Sequence, residues 1–216
     1  MAAIPIISVM AFVDWRAQMH NAKVDAEADV NEQASRTLSS VSRILTRALL
    51  KMDSAARFKV TLRLYHGWTK GFQPTVNRTA ISAVIAGMDF SLLSTSPNVV
   101  ISDDVGFGDV LLNALPERLR GGRVHLPGTL RDDEEGRLRE KMVDTALASD
   151  LLTSAVTYPK EWSVVLAEDD DIVPPLFVAE AWKSGGEGKV ILVRKRTLGK
   201  QNLLNLDGLL LKDVWR

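Results

Sequence analysis

The 216 residues contain no cysteine, which excludes disulfides, thiolate metal centres and a cysteine nucleophile, and suits a reducing compartment. Aromatic residues are scarce, at 6%. No apolar stretch reaches the roughly 18 to 20 residues of a membrane-spanning helix, so no membrane partner is expected. Neither sign of charge is in excess: 27 Lys plus Arg stand against 27 Asp plus Glu, so attraction to a polyanion has to come from a local patch. The apolar opening from Ala2 to Val13 has no basic residues before it and ends at Asp14-Trp15-Arg16 rather than at a small-residue cleavage site, which argues against a secretory leader. The expectation is a soluble, cytoplasmic protein.

What is there is ordinary globular material. Hydrophobic residues make up 46% of the chain, enough for a core, and the length fits one domain. Ile4 to Val13 is an Ile/Val-rich run with little alternation, as in a strand covered on both faces. Val30, Ala34, Leu38, Val41, Leu45, Ala48 and Met52 form a stripe at spacings of three and four, predicting a long helix over Asp25 to Met52. Phe58 to Tyr65 reads as a second strand, Thr79 to Met88 as a helix, and Asn98 to Ser102 as a short strand bounded by Asp103-Asp104. A short helix is expected at Val110 to Leu119 and an extended piece at Arg123 to Leu126. Asp132 to Glu135 looks like the acidic first turn of a helix running through Leu138, Met142, Thr145, Ala146, Ser149 and Leu152. Trp162 to Ala167 and Lys189 to Val193 are predicted buried strands on either side of a helix over Ile172 to Trp182. Alternating strands and helices predict an α/β protein, a three-layer α/β/α sandwich around a mostly parallel sheet, with ligands beyond the carboxyl ends of the strands.

Acidic residues gather at those ends. Asp14 follows the first strand, where it serves either a ligand or a turn. The fourth strand runs straight into Glu168-Asp169-Asp170-Asp171. Four successive acids repel one another unless a cation, a basic neighbour or water relieves them; some also serve to cap the next helix, with Asp171 expected nearest the cap. Asp144 and Asp150, six residues apart on one predicted helix, do not share a tight face, and Asp150 is read as capping or orienting backbone. Three acidic positions on one sheet edge make an oxygen-only site, which suits Mg²⁺ or Mn²⁺.

These segments resemble the NYN domains, the PIN-like ribonucleases. Ala11-Phe12-Val13-Asp14 is similar to the family's opening strand and its terminal aspartate. Glu140-Lys141-Met142-Val143-Asp144 resembles its Lys-x-Val-Asp helix signature, and Val165 to Pro174 aligns without a gap with its apolar strand and Ser-Gly-Asp-Ser-Asp-Phe-x-Pro segment. Ala167 and Glu168 replace the Ser-Gly pair, Ile172 replaces the Phe, and Ala17 stands where a polar residue is usual. The resemblance implies a nuclease domain over residues 1–200 with an irregular insertion at about 103–131 and a C-terminal tail, 201–216, packing on the body. It implies a metal-dependent endoribonuclease that hydrolyses RNA phosphodiester bonds. Asp14, Asp144 and Asp169 become the catalytic metal-binding acids, supported by Asp171, with Mg²⁺ or Mn²⁺ as cofactor. Lys141, Arg194, Lys195, Arg196 and His66 are candidate RNA contacts, and DNA is not excluded as substrate. Trp68 is expected to pack under its loop.

Two other classes compete. One is a catalytically degenerate PIN-like module that binds nucleic acid or protein, suggested by Ala167, Glu168 and the neutral net charge. The other is a phosphatase-like α/β protein, which needs a Lys at the sheet edge; Lys189 falls at the wrong end of its strand. A homodimer or a partner protein is a further possibility, with the apolar tail around Leu203 to Leu211 as the contact surface.

Overall fold

Apolar side chains on both faces of Ile6–Asp14 make it a central strand, β1, with Ala11, Phe12 and Val13 fully buried. The computed structural model describes residues 5–23, 27–112, 125–195 and 206–215. After β1 come α1 (Trp15–Asn21), α2 (Val30–Met52), β2 (Arg57–Tyr65), a small hairpin of β3 (Thr69–Lys70) and β4 (Gln73–Pro74), α3 (Val76–Gly87) and β5 (Val99–Phe107). A second hairpin, β6 (Leu130–Asp132) and β7 (Leu138–Glu140), precedes α4 (Val143–Thr157) and β8 (Trp162–Leu166). A 3-10 turn at Asp170–Ile172 leads into α5 (Val173–Lys183), and β9 (Val190–Val193) and β10 (Leu210–Leu211) complete the order.

Six of these strands form one sheet in the order β10-β9-β8-β1-β2-β5, and every pairing in it is parallel. Period-two alternation sorts the side chains into two cores. Val9, Ala11 and Val13 of β1, Val164 and Leu166 of β8, and Ile191 and Val193 of β9 join Leu38, Leu45 and Leu49 of α2 and Ile81 of α3. Phe12, Val165, Val190 and Leu192 point the other way, onto Leu147 and Leu151 of α4 and Leu176 of α5. Helices therefore cover both faces, and the chain is a three-layer α/β/α structure. Each fully buried Leu on α2 contributes about 2 kcal/mol of burial free energy.

The connections run outward from β1 in both directions, to β2 and β5 on one side and to β8, β9 and β10 on the other. Sequence direction reverses between β1 and β8, so the crevice beyond their carboxyl ends is the place where an open α/β sheet receives a ligand.

Several local expectations are corrected. The helix predicted from Asp132 is instead the β6–β7 hairpin, with Leu138 on a strand and the helix beginning only at Val143. Asp133 holds the turn: its carboxylate accepts from the N–H groups of Glu135 and Arg137, and its own N–H donates to the Arg137 carbonyl at 2.8 Å. Gly136 supplies the positive φ of 74° that closes it. The buried stripe of α4 is accordingly Val143, Ala146, Leu147, Asp150, Leu151, Ser154 and Ala155, which omits Thr145, Ser149 and Leu152. α2 starts at Val30, capped by Asp29, five residues later than the stripe was extended. β5 continues through Asp103 and Asp104 to Phe107 rather than stopping at Ser102, with a register shift against β2. Val110 bridges to His125; the remainder of the predicted Val110–Leu119 helix, from 113, and residues 123–124 lie outside the described residues. In the tail, Leu206, Leu209 and Val214 are buried and β10 lengthens the sheet.

Candidate active site

Asp14 ends β1 and caps α1, its Oδ1 accepting from the Ala17 N–H at 3.0 Å. Asp144 stands in the first turn of α4, where the helix favours a negative charge. Asp169 leaves β8 and caps the 3-10 turn, accepting from the Asp171 N–H at 3.0 Å. Asp169 thus caps the 3-10 turn, while α5 has Ile172 at its cap with no side-chain hydrogen bond, so Asp171, which the sequence pattern set nearest the cap, caps neither. These three aspartates line one cleft of about 800 Å³, together with Glu140, Glu168, Arg16, Arg137 and Arg139.

Burial and crowding are visible in the acidities of Asp14 and Asp144. Burial pushes the Asp14 carboxyl from its ordinary 3.8 up to about 6; the Ala17 N–H pulls it down, the negative charges of Asp144 and Glu140 push it up, and His66 lowers it. Asp144 is raised as well, first by partial desolvation and then by the charges of Asp169, Glu140 and Asp171. Glu140 goes the opposite way. Burial pushes it up, but the hydrogen bond and charge of His66, the Gly67 N–H and the charge of Arg16 outweigh that and hold it below the usual glutamate range. Its Oε1 lies 2.5 Å from His66 Nδ1 and 2.6 Å from the Gly67 nitrogen, and its Oε2 lies 3.3 Å from Arg16 Nη1.

The acidic run after β8 is relieved one residue at a time. Glu168 accepts from Asn21 Nδ2 and from the Lys195 N–H, both at 2.8 Å. Asp170 pairs with Arg194 at 2.6 Å. Asp169, Asp170 and Asp171 are all exposed, and Asp169 is the one of them on the cleft wall.

The remaining candidates part company. Arg194 is only 4% exposed, so its guanidinium sits inside on Asp170 rather than out on a strand-edge track. Lys195 is exposed, with Nζ 3.4 Å from the Asn21 carbonyl oxygen; Lys141 is exposed just before α4; Arg196 lies outside the described residues. His66 is held on both ring nitrogens, Nδ1 on Glu140 and Nε2 on Asn77 Nδ2 at 2.8 Å, which orients it rather than leaving it free to stack on a base. Trp68 is fully buried, its Nε1–H donating to the Leu64 carbonyl at 2.8 Å. Asp150 is buried away from the cleft, on Arg63 and Tyr65, and accepts from the Leu112 N–H at 2.7 Å.

Sequence reasoning named Glu140 and Glu168 only within motifs, with no role of their own in the cleft, and it missed Arg16, Arg137 and Arg139 as cleft residues. The signal for the last two was the Asp-Glu-Glu-Gly-Arg turn at 133–137, which a helix reading hides. Oxygen donors of this kind suit a hard divalent cation that keeps several waters, and the raised acidities of Asp14 and Asp144 mark charge that a cation would relieve. Among the described residues, no three His, Asp or Glu side chains are drawn together into a finished metal cage.

No family model, curated protein or solved structure matches the chain. Fold and site alone define its class: an α/β protein with a six-stranded parallel sheet and an acidic cleft at the carboxyl edge of its two central strands.

Proposed function

We propose that the protein is a PIN-like, metal-dependent endoribonuclease that hydrolyses RNA phosphodiester bonds in this cleft. The observation that carries the reading is the meeting of Asp14, Asp144 and Asp169, from three separate elements, in one cleft where the strand order of the sheet reverses. Asp14, Asp144 and Asp169 would hold Mg²⁺ or Mn²⁺, with Asp171 at the rim. Such an ion, when bound, polarises a phosphate and lowers the pKa of a bound water.

The chain's own residues supply the rest. Asp14 is fixed in orientation by its cap on α1, and Asp169 by its cap on the 3-10 turn, so each presents a carboxylate oxygen without reorganising. Glu140, held ionised by His66, Gly67 and Arg16, anchors the cleft wall and keeps Arg16 over it. Arg16, Arg137 and Arg139 offset the negative charge that a phosphate brings to an acidic cleft. No protein nucleophile is needed.

A second reading, a PIN-like module that binds without cutting, is favoured by Ala167 and Glu168 standing where the family has its Ser-Gly pair and by the balanced charge of the chain. Cleavage of labelled RNA by wild type and by Asp144→Asn, in Mn²⁺, Mg²⁺ and EDTA, decides between them. Metal-dependent cutting that Asp144→Asn abolishes supports the nuclease; no cutting of RNA or DNA by a folded protein in either metal rejects it in favour of the binding module.

A further inference from the structure

The β6–β7 hairpin is a two-faced ribbon. Leu130, Asp132, Leu138 and Glu140 alternate with Arg131, Arg137 and Arg139, and the pairing sets Leu130 opposite Glu140, Arg131 opposite Arg139, and Asp132 opposite Leu138. Its first face is tied to the body: Leu130 and Glu140 close over Gly67, and Asp132 pairs with Lys70 of β3 at 2.9 Å. The second face therefore carries all three arginines.

Two of those arginines stand on the cleft wall beside the aspartates. Arg139 and Arg137 are more than half exposed, and both reach Asp133, at 2.7 and 3.3 Å. Arg137 also reaches Glu135 at 2.5 Å. The arginine ends of these pairs are open to solvent, where an ion pair adds little net stability, so a phosphate can compete for the guanidinium groups. Both guanidinium groups meet the same Asp133 oxygen, Oδ2, which holds them side by side on one face of the ribbon. Residues two apart on a strand lie about 7 Å apart, comparable to neighbouring phosphates on an extended nucleic-acid strand.

Beyond Arg131 the surface turns aromatic. Phe72, at the tip of the β3–β4 hairpin, is 86% exposed. The neighbouring Gly71 carbonyl accepts from the Gly128 N–H at 2.7 Å, and Arg131 Nε donates to the Gly128 carbonyl, also at 2.7 Å. The tip of one hairpin is thereby fastened next to the arginine face of the other. Cations followed by an open aromatic face are the elements that hold a single strand: charge for its backbone, a ring for a base.

Resting on the nuclease reading, we propose that Arg131, Arg137 and Arg139 with Phe72 form a track that holds the RNA strand beside its scissile bond, leading away from the aspartates along the ribbon. The track contacts phosphates and one unstacked base, so it takes a single strand and reads no sequence.

Fluorescence anisotropy of a labelled single-stranded RNA in EDTA, over a series of KCl concentrations, tests it. The variants are Arg131→Gln/Arg137→Gln/Arg139→Gln, the matching triple lysine variant, and Phe72→Ala, each checked for a wild-type thermal melt. The glutamine variant should bind at least about tenfold more weakly, with the slope of log affinity against log salt shallower by about two, since each lost phosphate contact removes about 0.7; lysine should restore the slope. Phe72→Ala should weaken binding about tenfold with the slope unchanged. Wild-type affinity and slope in both the glutamine and the alanine variants would overturn the track while leaving the nuclease reading to its own cleavage assay. A wild-type protein that binds no nucleic acid at low salt would overturn both.

Discussion

The Nη2 of Arg63 on β2 lies 2.6 Å from Oδ2 of Asp150 on α4, with the Asp150 side chain 1% exposed. Tyr65 donates to the same oxygen at 2.8 Å, and the other oxygen accepts from the Leu112 N–H. This knot fastens α4, and with it Asp144, to the sheet. Asp150→Ala leaves a buried guanidinium and a buried N–H without their acceptor, and should cost about 3 to 5 kcal/mol in urea unfolding. A loss under about 1 kcal/mol would show that water replaces the carboxylate.

Asp14 makes stability depend on pH in the direction opposite to most carboxylates. Its folded pKa, about 6, lies above the ordinary 3.8, so between those values the folded state holds a proton that the unfolded chain has lost. Stability therefore falls as pH rises through this window, and the full penalty, about 2 to 3 kcal/mol, stands above pH 6. Asp14→Asn keeps a capping side chain and removes the charge; it should be more stable than wild type at pH 8 and equal to it below pH 4. Parallel stability profiles for the two proteins would refute the assignment.

Divalent metal should reverse that penalty. An ion that binds only the folded state raises its stability by RT ln(1 + [L]/Kd), and it competes with the protons on Asp14 and Asp144. The rise in Tm on adding Mn²⁺ should be larger at pH 8 than at pH 5, and small in Asp14→Asn. An equal rise at both pH values would point to metal bound elsewhere.

Gly188 lies where backbone crosses backbone. A Cβ there would come within 2.2 Å of the Pro159 carbonyl oxygen and 2.8 Å of that of Glu161, neither of which can swing aside. Gly188→Ala should therefore cost about 3 kcal/mol, read as a lowered Tm. Cleavage at a temperature where the variant remains folded should persist, because Gly188 precedes β9, at the end of the strand opposite the cleft.

Much of this was legible in the sequence because burial writes itself into composition. The Ile/Val runs of β1, β8 and β9 have no polar face to hide, and the stripe from Val30 to Met52 has only one period. Asp14 and Asp169 could be placed together because strand ends in a parallel sheet share an edge, whereas Asp144 reaches that edge because α4 starts only at Val143, which the helix predicted from Asp132 hid. The arginines of the ribbon could not be placed there. Asp133 and its neighbours suit a helix's first turn as well as a hairpin's, and Gly136 alone tips the balance toward the turn. Arg194 misled for a related reason: a basic residue after a strand looks the same in sequence whether it is solvated or folded inward onto Asp170.

The pairing of β1 with β8 that creates the cleft also has a kinetic side. Val9 sits beside Trp162, so these neighbours in the sheet are about 150 residues apart in the chain, and contacts of such high order close slowly. The loop they close contains α2, β2, β5 and α4, so bringing Asp14 and Asp169 to one cleft carries the entropic cost of closing a loop of that length. The cleft is therefore a property of long-range pairing, and no stretch of chain shorter than that from Asp14 to Asp169 carries it.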